Sequence, residues 1–377
     1  MTDPRTSDPD GRLRARGLGL PFLGATGPSN AITDVAGVEV GFTTLIEGEG
    51  PLVVGEGPVR TGVTAILPRG HEDGRAPRPV WAGMSTLNGA GEMTGAHWIG
   101  EFGYFLGPIT ITNTHSIGIA HHATARWMRA NHRAGASGAY DWVMPVAAET
   151  FDGHLNDIDG FHVTEAHVIA AIEGAAPGPI AEGNVGGGTG MIAYEFKGGT
   201  GTASRTVTLG GRPRMVGALV QANFGVRSWL SVLGVPVGQH LSQGASRTAD
   251  EGSIIAVVGT DTPLLPSQLQ RVARRIGLGV GRTGTVGGDS SGDIFLAFST
   301  AGSVPLDGAG TGLGHIDFTP DPALDPLFAA TVEAVEEAII NALVAATTMV
   351  GRDGHEVRAI DHDELRDVMV RFNRLTT

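Results

Sequence analysis

Apolar positions along the chain predict groups of strands separated by helices. Runs rich in apolar or β-branched residues, which are typical of buried strands, occur at 63–67, 109–112, 215–222, 253–258 and 294–298. The run at 253–258 is the clearest, because six consecutive positions contain no residue that breaks a strand except the serine that opens it. We therefore expect a core built from short buried strands.

Helical periodicity is expected in three segments. The first spans 117–130 and the second about 267–276, where Ser267 and Gln270 match a capping box. The third begins after Asp325–Pro326, a pair that matches an N-cap followed by proline in the first turn. Strands and helices mixed in this way predict an α/β fold.

The composition fits a globular chain with many loops. It is 41% hydrophobic and 17% charged, and its 59 glycines form short clusters without a collagen-like period. No linker or fixed-period repeat divides the chain, so we expect a single domain over residues 1–377. Residues 1–17 are polar and are predicted to form a flexible arm.

Charge and hydropathy restrict the partners and the compartment. The net charge of −13 disfavours nucleic acid and anionic membranes as partners. The polar N-terminal segment lacks the apolar centre of a signal peptide, and no apolar run reaches about 18 residues. The expected location is the cytoplasm.

The absence of cysteine removes several chemistries together. With no Cys, the chain has no thiol nucleophile, disulfide, zinc ribbon or iron–sulfur cluster. Lys197 is the only lysine, so Schiff-base chemistry would depend on that single residue.

Three motifs invite a functional interpretation that their context does not support. Residues 279–284 match GxGxxG but follow a predicted helix, whereas a dinucleotide site follows a strand, so we interpret them as a turn. His162, Glu165 and His167 lack the i, i+4 histidine spacing of a zinc protease and are interpreted as surface residues. Residues 288–292 resemble a nucleophile elbow but are out of register for it.

Gly252–Ser253, directly before the clearest strand, carries a more specific chemistry. Gly252 leaves its own carbonyl, the scissile one, unhindered by a side chain. Cleavage of the Gly252–Ser253 bond would give Ser253 a free α-amine beside its hydroxyl. Such an amine has a pKa of about 7.7–8, which suits a general base at neutral pH. A loop glycine followed by a strand-start serine remains the structural alternative.

Several blocks along the chain resemble the L-aminopeptidase/D-esterase (DmpA-type) group, which includes the β-peptidyl aminopeptidases. These blocks occur in the same order as in that group, and they lie at 30–44, 148–157, 182–191, 219–225, 251–266 and 291–300. The resemblance implies a precursor that cleaves itself after Gly252 and a peptidase that uses Ser253 as its nucleophile.

The resemblance also implies the residues that assist Ser253. Asn223 matches the amide that stabilises an oxyanion, while Ser291 and Asp293 match a serine and an acidic residue that support the nucleophile. Ser290 is the rival of Ser291, but Ser291 directly precedes the Gly-Asp pair that the motif requires. Without the resemblance, these residues also fit a turn and a strand start.

Two further residues match the part of the site that receives the substrate. Glu149 corresponds to an acidic residue that accepts the free amino group of the substrate. Phe151 lies where one branch of the group carries tyrosine, so any role of that hydroxyl does not transfer. The choice between α- and β-amino substrates therefore stays open.

The implied fold is a four-layer αββα sandwich like that of N-terminal-nucleophile hydrolases, but with different connectivity. Cleavage would produce an α fragment, 1–252, and a β fragment, 253–377. The implied substrates are short peptides and amino-acid amides or esters, hydrolysed without a metal or organic cofactor. The resemblance also implies a homo-oligomer of αβ units.

Two alternatives remain on the sequence alone. One is an acyltransferase of the ornithine-acetyltransferase kind, which also cleaves itself but uses threonine where this chain has Ser253. The other is a non-catalytic binding protein that keeps the scaffold and stays a single chain.

Overall fold

Two β-sheets face each other at the centre of the computed structural model. The structure describes residues 3–71, 78–131, 143–241, 252–302 and 315–375.

Groups of strands are separated by single helices along the described chain. The strands are β1 (Glu39–Glu47), β2 (Val59–Leu67), β3 (Val80–Gly89), β4 (Tyr104–Phe105), β5 (Ile109–Asn113), β6 (Val146–Thr150), β7 (Ile192–Ala193), β8 (Phe196–Lys197), β9 (Gly199–Leu209), β10 (Arg212–Asn223), β11 (Ser253–Thr260), β12 (Gly292–Ser299), β13 (Met349–Val350) and β14 (Glu356–Val357). The helices are α1 (Ala96–Phe102), α2 (Ile117–Asn131), α3 (Glu165–Glu173), α4 (Pro266–Arg282), α5 (Asp325–Val344) and α6 (His362–Arg371).

The two large sheets are mixed, and each contains one parallel pair. The smaller sheet has the order β1-β2-β5-β6, and the larger has the order β4-β3-β12-β11-β10-β9. The parallel pairs are β5 with β6 and β11 with β12. Helix α2 connects the first pair and α4 the second, as a parallel pair requires a crossover connection.

Alternating side chains of β11 bury both faces of the larger sheet. Ile254, Ala256 and Val258 pack in a cluster with α4 and α5, whereas Ile255 and Val257 pack between the two sheets. Successive strand residues point to opposite faces, so the continuous apolar run serves both layers at once.

Helices α2 and α3 cover the other sheet from outside. Val63 and Ala65 of β2 pack with Ala120 and Ala123 of α2 and with residues of α3, while Ile66 faces the space between the sheets. The layers therefore run helix, sheet, sheet, helix, as the predicted αββα sandwich requires.

Helix α4 differs from its prediction at both ends. It begins at Pro266, and Gln268 Oε1 accepts a hydrogen bond from Leu265 N at 3.0 Å, so the expected pairing of Ser267 with Gln270 is wrong. Proline occupies the first helical position because it has no N–H to satisfy there, which moves the cap upstream. The helix continues to Arg282, well past the predicted end.

The GxGxxG segment is part of that longer helix. Gly279 and Gly281 lie inside α4, which corrects the predicted turn, and only Gly284 follows the helix, with a φ of +105°. A Cβ at Gly279 would lie 2.7 Å from the Val335 Cβ, so this glycine allows α4 and α5 to pack closely. The segment is thus a helix-packing motif.

The N-terminal segment is packed, in contrast to the flexible arm predicted for 1–17. Arg14 and Glu182 form an ion pair at 2.6 Å with side chains that are 2% and 0% exposed. The Arg14 guanidinium also donates to the carbonyls of Asn30 and Thr202 at 2.8 and 2.7 Å. A polar segment can be buried in this way because its charge has a buried partner.

No helix in the described ranges is long and apolar enough to cross a membrane.

Replacement of Arg14 tests whether the arm contributes to stability. We expect Arg14→Met to lower the free energy of unfolding by about 3–5 kcal/mol, because it leaves the Glu182 carboxylate buried without its partner. Urea unfolding measures the change. Arg5→Met is the matched control, since its ion pair with Asp3 is exposed. Equal unfolding midpoints for the two variants would contradict a packed arm.

Candidate active site

The predicted nucleophile, Ser253, lies where the ends of three adjacent strands of the larger sheet, β10, β11 and β12, come together. Ser253 opens β11 and pairs with Asn223, the last residue of β10, on one side. On the other side it pairs with Gly292, the first residue of β12. Ser253 and Asn223 follow the same alternation as Ile255 and Leu219, which face the second sheet.

A backbone amide holds the hydroxyl of Ser253. The Gly292 N–H donates to Ser253 Oγ at 3.0 Å, and Ser253 is only 8% exposed. A Cβ at Gly292 would lie 2.7 Å from the Ala90 carbonyl oxygen, so this position accepts only glycine without rearrangement. The hydroxyl is therefore buried and oriented by rigid main chain.

Ser291 and Asp293 form a buried pair next to that amide. Ser291 Oγ donates to Asp293 Oδ1 at 2.6 Å, and both side chains are buried. Asp293 pairs across β11 and β12 with Ile254, the residue after Ser253. Ser290 is exposed. Of the two rival serines, the structure thus places Ser291 in a buried hydrogen bond with Asp293.

The Asn223 side chain is held at both ends of its amide. Its Oδ1 accepts from Ile192 N at 2.8 Å, and its Nδ2 donates to the Phe151 carbonyl at 2.9 Å. An NH₂ group has two hydrogens, so one remains to stabilise a developing negative charge. These contacts together assign the orientation of the amide.

Glu149 lies near the start of β12, although it belongs to the other sheet. Its Oε1 accepts from Glu92 N at 2.9 Å, its Oε2 accepts from the Thr114 hydroxyl, and Glu149 is 5% exposed. A Cβ at Gly91 would lie 3.2 Å from Glu149 Oε1 and 3.4 Å from the Gly292 Cα. Glycine at 91 therefore lets the Glu149 carboxylate and the start of β12 lie close together.

Phe151 lies beside Asn223 and is about half exposed to solvent. Its ring is 48% exposed, while its carbonyl oxygen binds the Asn223 amide. A Cβ at Gly153 would meet the ring at 2.4 Å, so that glycine makes room for it. The ring of Phe151 is thus partly open to solvent while its backbone holds Asn223.

Gly252, which precedes the nucleophile, also has no space for a side chain. A Cβ there would lie 1.8 Å from the Asn223 carbonyl oxygen and 2.7 Å from the Phe224 Cα. The Cα of Gly252 is consequently packed against the end of the strand that carries Asn223. This packing explains glycine at the position whether or not the bond is cleaved.

The glycine-rich segment 186–188 is buried in the interior of the protein. A Cβ at Gly187 would lie 2.1 Å from Gln221 Oε1, and one at Gly188 would lie 2.3 Å from Thr200 N. The segment is wedged between the two sheets, and its continuation through Ile192 is what reaches Asn223.

Two buried charges beneath the site were not identified from the sequence. Burial lowers the pKa of Lys197 to about 7, and the neighbouring charge of Asp152 acts in the opposite direction. Burial likewise raises the pKa of Asp152 to about 7, against hydrogen bonds from Thr61, Asn156 and Asn113. The one sequence signal was that Lys197 is the only lysine.

The histidine motif does not form a single cluster. His162 Nε2 contacts Asp157 Oδ2 at 2.8 Å, Glu165 binds Arg126, and the Nδ1 of His167 accepts from Thr164 N. Across the described residues, no group of three or more His, Asp or Glu side chains is arranged to hold a metal ion.

Comparisons with known proteins agree with this geometry. The family description "Peptidase family S58" matches residues 30–357. The chain is 51% identical to the beta-peptidyl aminopeptidase BapA of Sphingosinicella microcystinivorans, covering 96% of this chain and 93% of that protein. It is 46% identical to the BapA of Sphingosinicella xenopeptidilytica, with 96% and 92% covered.

A solved structure confirms the fold as well. The L-aminopeptidase D-Ala-esterase/amidase of Ochrobactrum anthropi superposes with a TM-score of 0.90 at 54% identity, covering 96% of this chain and 99% of that one. That protein is described as a prototype of the serine aminopeptidases and a new variant of the Ntn hydrolase fold. The resemblance inferred from the sequence blocks is therefore confirmed, and the chain belongs to peptidase family S58.

Proposed function

We propose that the protein is a self-processing serine aminopeptidase that releases N-terminal residues from short peptides, amides or esters. The observation that carries the proposal is the position of Ser253 between Asn223 and Gly292 at the ends of three adjacent strands. A hydroxyl, a side-chain amide and a rigid backbone amide converge there. Membership of family S58 supports the peptidase chemistry.

Cleavage after Gly252 would provide the general base. The new α-amine of Ser253 accepts the hydroxyl proton while Oγ attacks the substrate carbonyl. The tetrahedral oxyanion is stabilised by the free Nδ2 hydrogen of Asn223. The leaving amine takes the proton, an acyl-enzyme remains on Ser253, and water then releases the N-terminal residue as its acid.

Ser291 and Asp293 would support the base. The Ser291 hydroxyl holds the Ser253 amine or relays its proton, and the short bond to Asp293 fixes the direction of that hydroxyl. Because the pair is buried, its orientation is not disturbed by competing water.

Glu149 would select substrates that have a free amino terminus. Each of its oxygens already accepts one hydrogen bond, and a carboxylate oxygen has capacity for two. A substrate ammonium adds the missing charge-assisted bonds. Relatives at similar identity are named for β-peptidyl and L-aminopeptidase activity, so substrates with α- and β-amino termini both belong in the assay.

Assembly and location are part of the same proposal. Resemblance to the family supports a homo-oligomer of αβ units. The cytoplasm, which is the default expectation from the sequence, is the proposed location. Light scattering after size-exclusion chromatography measures the oligomeric state.

Removal of the nucleophile tests the proposed chemistry. We expect Ser253→Ala to lose at least about 10³-fold in kcat/KM on alanine p-nitroanilide and on a β-homoalanine amide, because the substitution removes the attacking hydroxyl. Ser290→Ala is the matched control, because this neighbouring serine is exposed, and it should retain activity. Activity that survives in Ser253→Ala would exclude this serine as the nucleophile.

The same assay separates hydrolysis from acyl transfer. A hydrolase releases the free acid as its main product even when no amine acceptor is added. An acyltransferase would turn over only with the acceptor, and a binding protein would not turn over at all.

Replacement of Glu149 tests recognition of the amino terminus. We expect Glu149→Gln to lower kcat/KM about 10- to 100-fold on free-amine substrates, because a charge-assisted hydrogen bond contributes about 1.5–3 kcal/mol. Glu92→Gln is the control, since its side chain is exposed and only its backbone N–H binds Glu149. Equal losses in both variants would indicate general electrostatics and would contradict a specific role for Glu149.

A further inference from the structure

Lys197 is a buried cation that the proposed chemistry leaves without a role. It is the only lysine of the chain and is 0% exposed. Its Nζ donates to the carbonyls of Met191, Gly198 and Gly188 at 2.7, 3.0 and 3.4 Å. Burying an ammonium group has a large desolvation cost, which these hydrogen bonds help to offset.

The shortest of these contacts leads directly to the proposed oxyanion donor. The Met191 carbonyl and the Ile192 N–H belong to one planar peptide group. Lys197 Nζ binds its oxygen at 2.7 Å, and its N–H donates to Asn223 Oδ1 at 2.8 Å. A cation at the oxygen polarises the group and strengthens the hydrogen bond at the nitrogen.

That hydrogen bond decides which end of the Asn223 amide faces the site. With Oδ1 bound to Ile192, the NH₂ group points to the Phe151 carbonyl and keeps one hydrogen available. A flip of the amide would place its oxygen where the oxyanion has to lie. The polarised peptide therefore favours the productive orientation.

Backbone contacts also hold this peptide, so the side chain has to be tested separately. Met191 O accepts from Gly198 N at 2.9 Å, and Ile192 pairs with Lys197 in the β7–β8 hairpin. These bonds position the hairpin, but they carry no net charge. Among these contacts, only the one from the Lys197 side chain brings a cation to the Met191–Ile192 peptide that binds Asn223.

A carboxylate accompanies the lysine on the other side of Asn223. Asp152 is fully buried, its charge favours the protonated form of Lys197, and it directly follows Phe151. Asn156 Nδ2 donates to Asp152 Oδ1 at 3.0 Å. The two charges thus lie next to the two groups that bind the Asn223 amide.

We propose that Lys197 is a positioning residue for hydrolysis, which acts through the Met191–Ile192 peptide to orient and polarise the Asn223 amide. The inference rests on the proposed function of Asn223 as the oxyanion donor. It predicts a loss in kcat with little change in KM, because the amide acts on the transition state and the substrate amine is bound elsewhere.

Three variants separate this role from general stability. Asn223→Ala should lower kcat about 10²–10³-fold, as loss of one oxyanion donor does. Lys197→Met, which keeps the length and removes the charge, should lower kcat about 10- to 100-fold with KM within about threefold. Arg227→Met is the control, because this buried cation binds the Tyr194 and Glu195 carbonyls of the same hairpin. Kinetics are compared on fully processed protein.

The outcomes distinguish the inference from the function on which it rests. If Asn223→Ala loses kcat and Lys197→Met does not, the positioning role is wrong and the proposed function stands. If Asn223→Ala retains kcat, the oxyanion assignment itself fails. Equal losses in Lys197→Met and Arg227→Met would reduce the effect to hairpin stability and overturn the inference.

A spectroscopic measurement on the unaltered protein covers the case in which Lys197→Met fails to fold. Protein labelled with ¹⁵N-lysine has a single side-chain signal, because the chain has one lysine. Binding of 1-aminoethylboronic acid, which forms a tetrahedral adduct with a serine nucleophile, should shift that signal. The shift should be lost in Asn223→Ala, and an unmoved signal in the parent protein would contradict the inference.

Discussion

The pairing of β11 with a different neighbour on each side is the constraint on which the site depends. Antiparallel pairing sets Ser253 opposite Asn223, and parallel pairing sets it opposite Gly292. A shift of one residue in either register would move a side chain to the other face of the sheet. The apolar residues that follow Ser253 are buried in both layers, so the hydrophobic core itself fixes the register.

Close packing around this point depends on residues without side chains and on charges with buried partners. Gly91, Gly252 and Gly292 leave room for the Glu149 carboxylate and for main-chain carbonyls to pack closely around the starts of β11 and β12. Beneath them, Lys197 and Asp152 place opposite charges in a region from which water is excluded. Such a region keeps donors and acceptors oriented before a substrate arrives, which is the property that electrostatic catalysis requires.

Local patterns predicted much of this arrangement, and long-range contacts account for the rest. The apolar run after Ser253 identified β11 and the position of the serine at its start, because burial on both faces imposes such a run. The packing of the N-terminal arm depends on an ion pair between Arg14 and the distant Glu182, which no local pattern reveals. Lys197 was equally hidden, since its partners are backbone carbonyls that every sequence contains. The roles of the site residues came from the family resemblance and remain predictions.

Intact mass and N-terminal sequencing of the purified protein test the central claim most directly. The account predicts two fragments, 1–252 and 253–377, with the smaller beginning Ser-Ile-Ile-Ala at Ser253. It also predicts that Ser253→Ala stays whole. A single uncut chain of 38.8 kDa that persists on incubation would contradict the claim, because Ser253 would then lack the free amine that serves as its base.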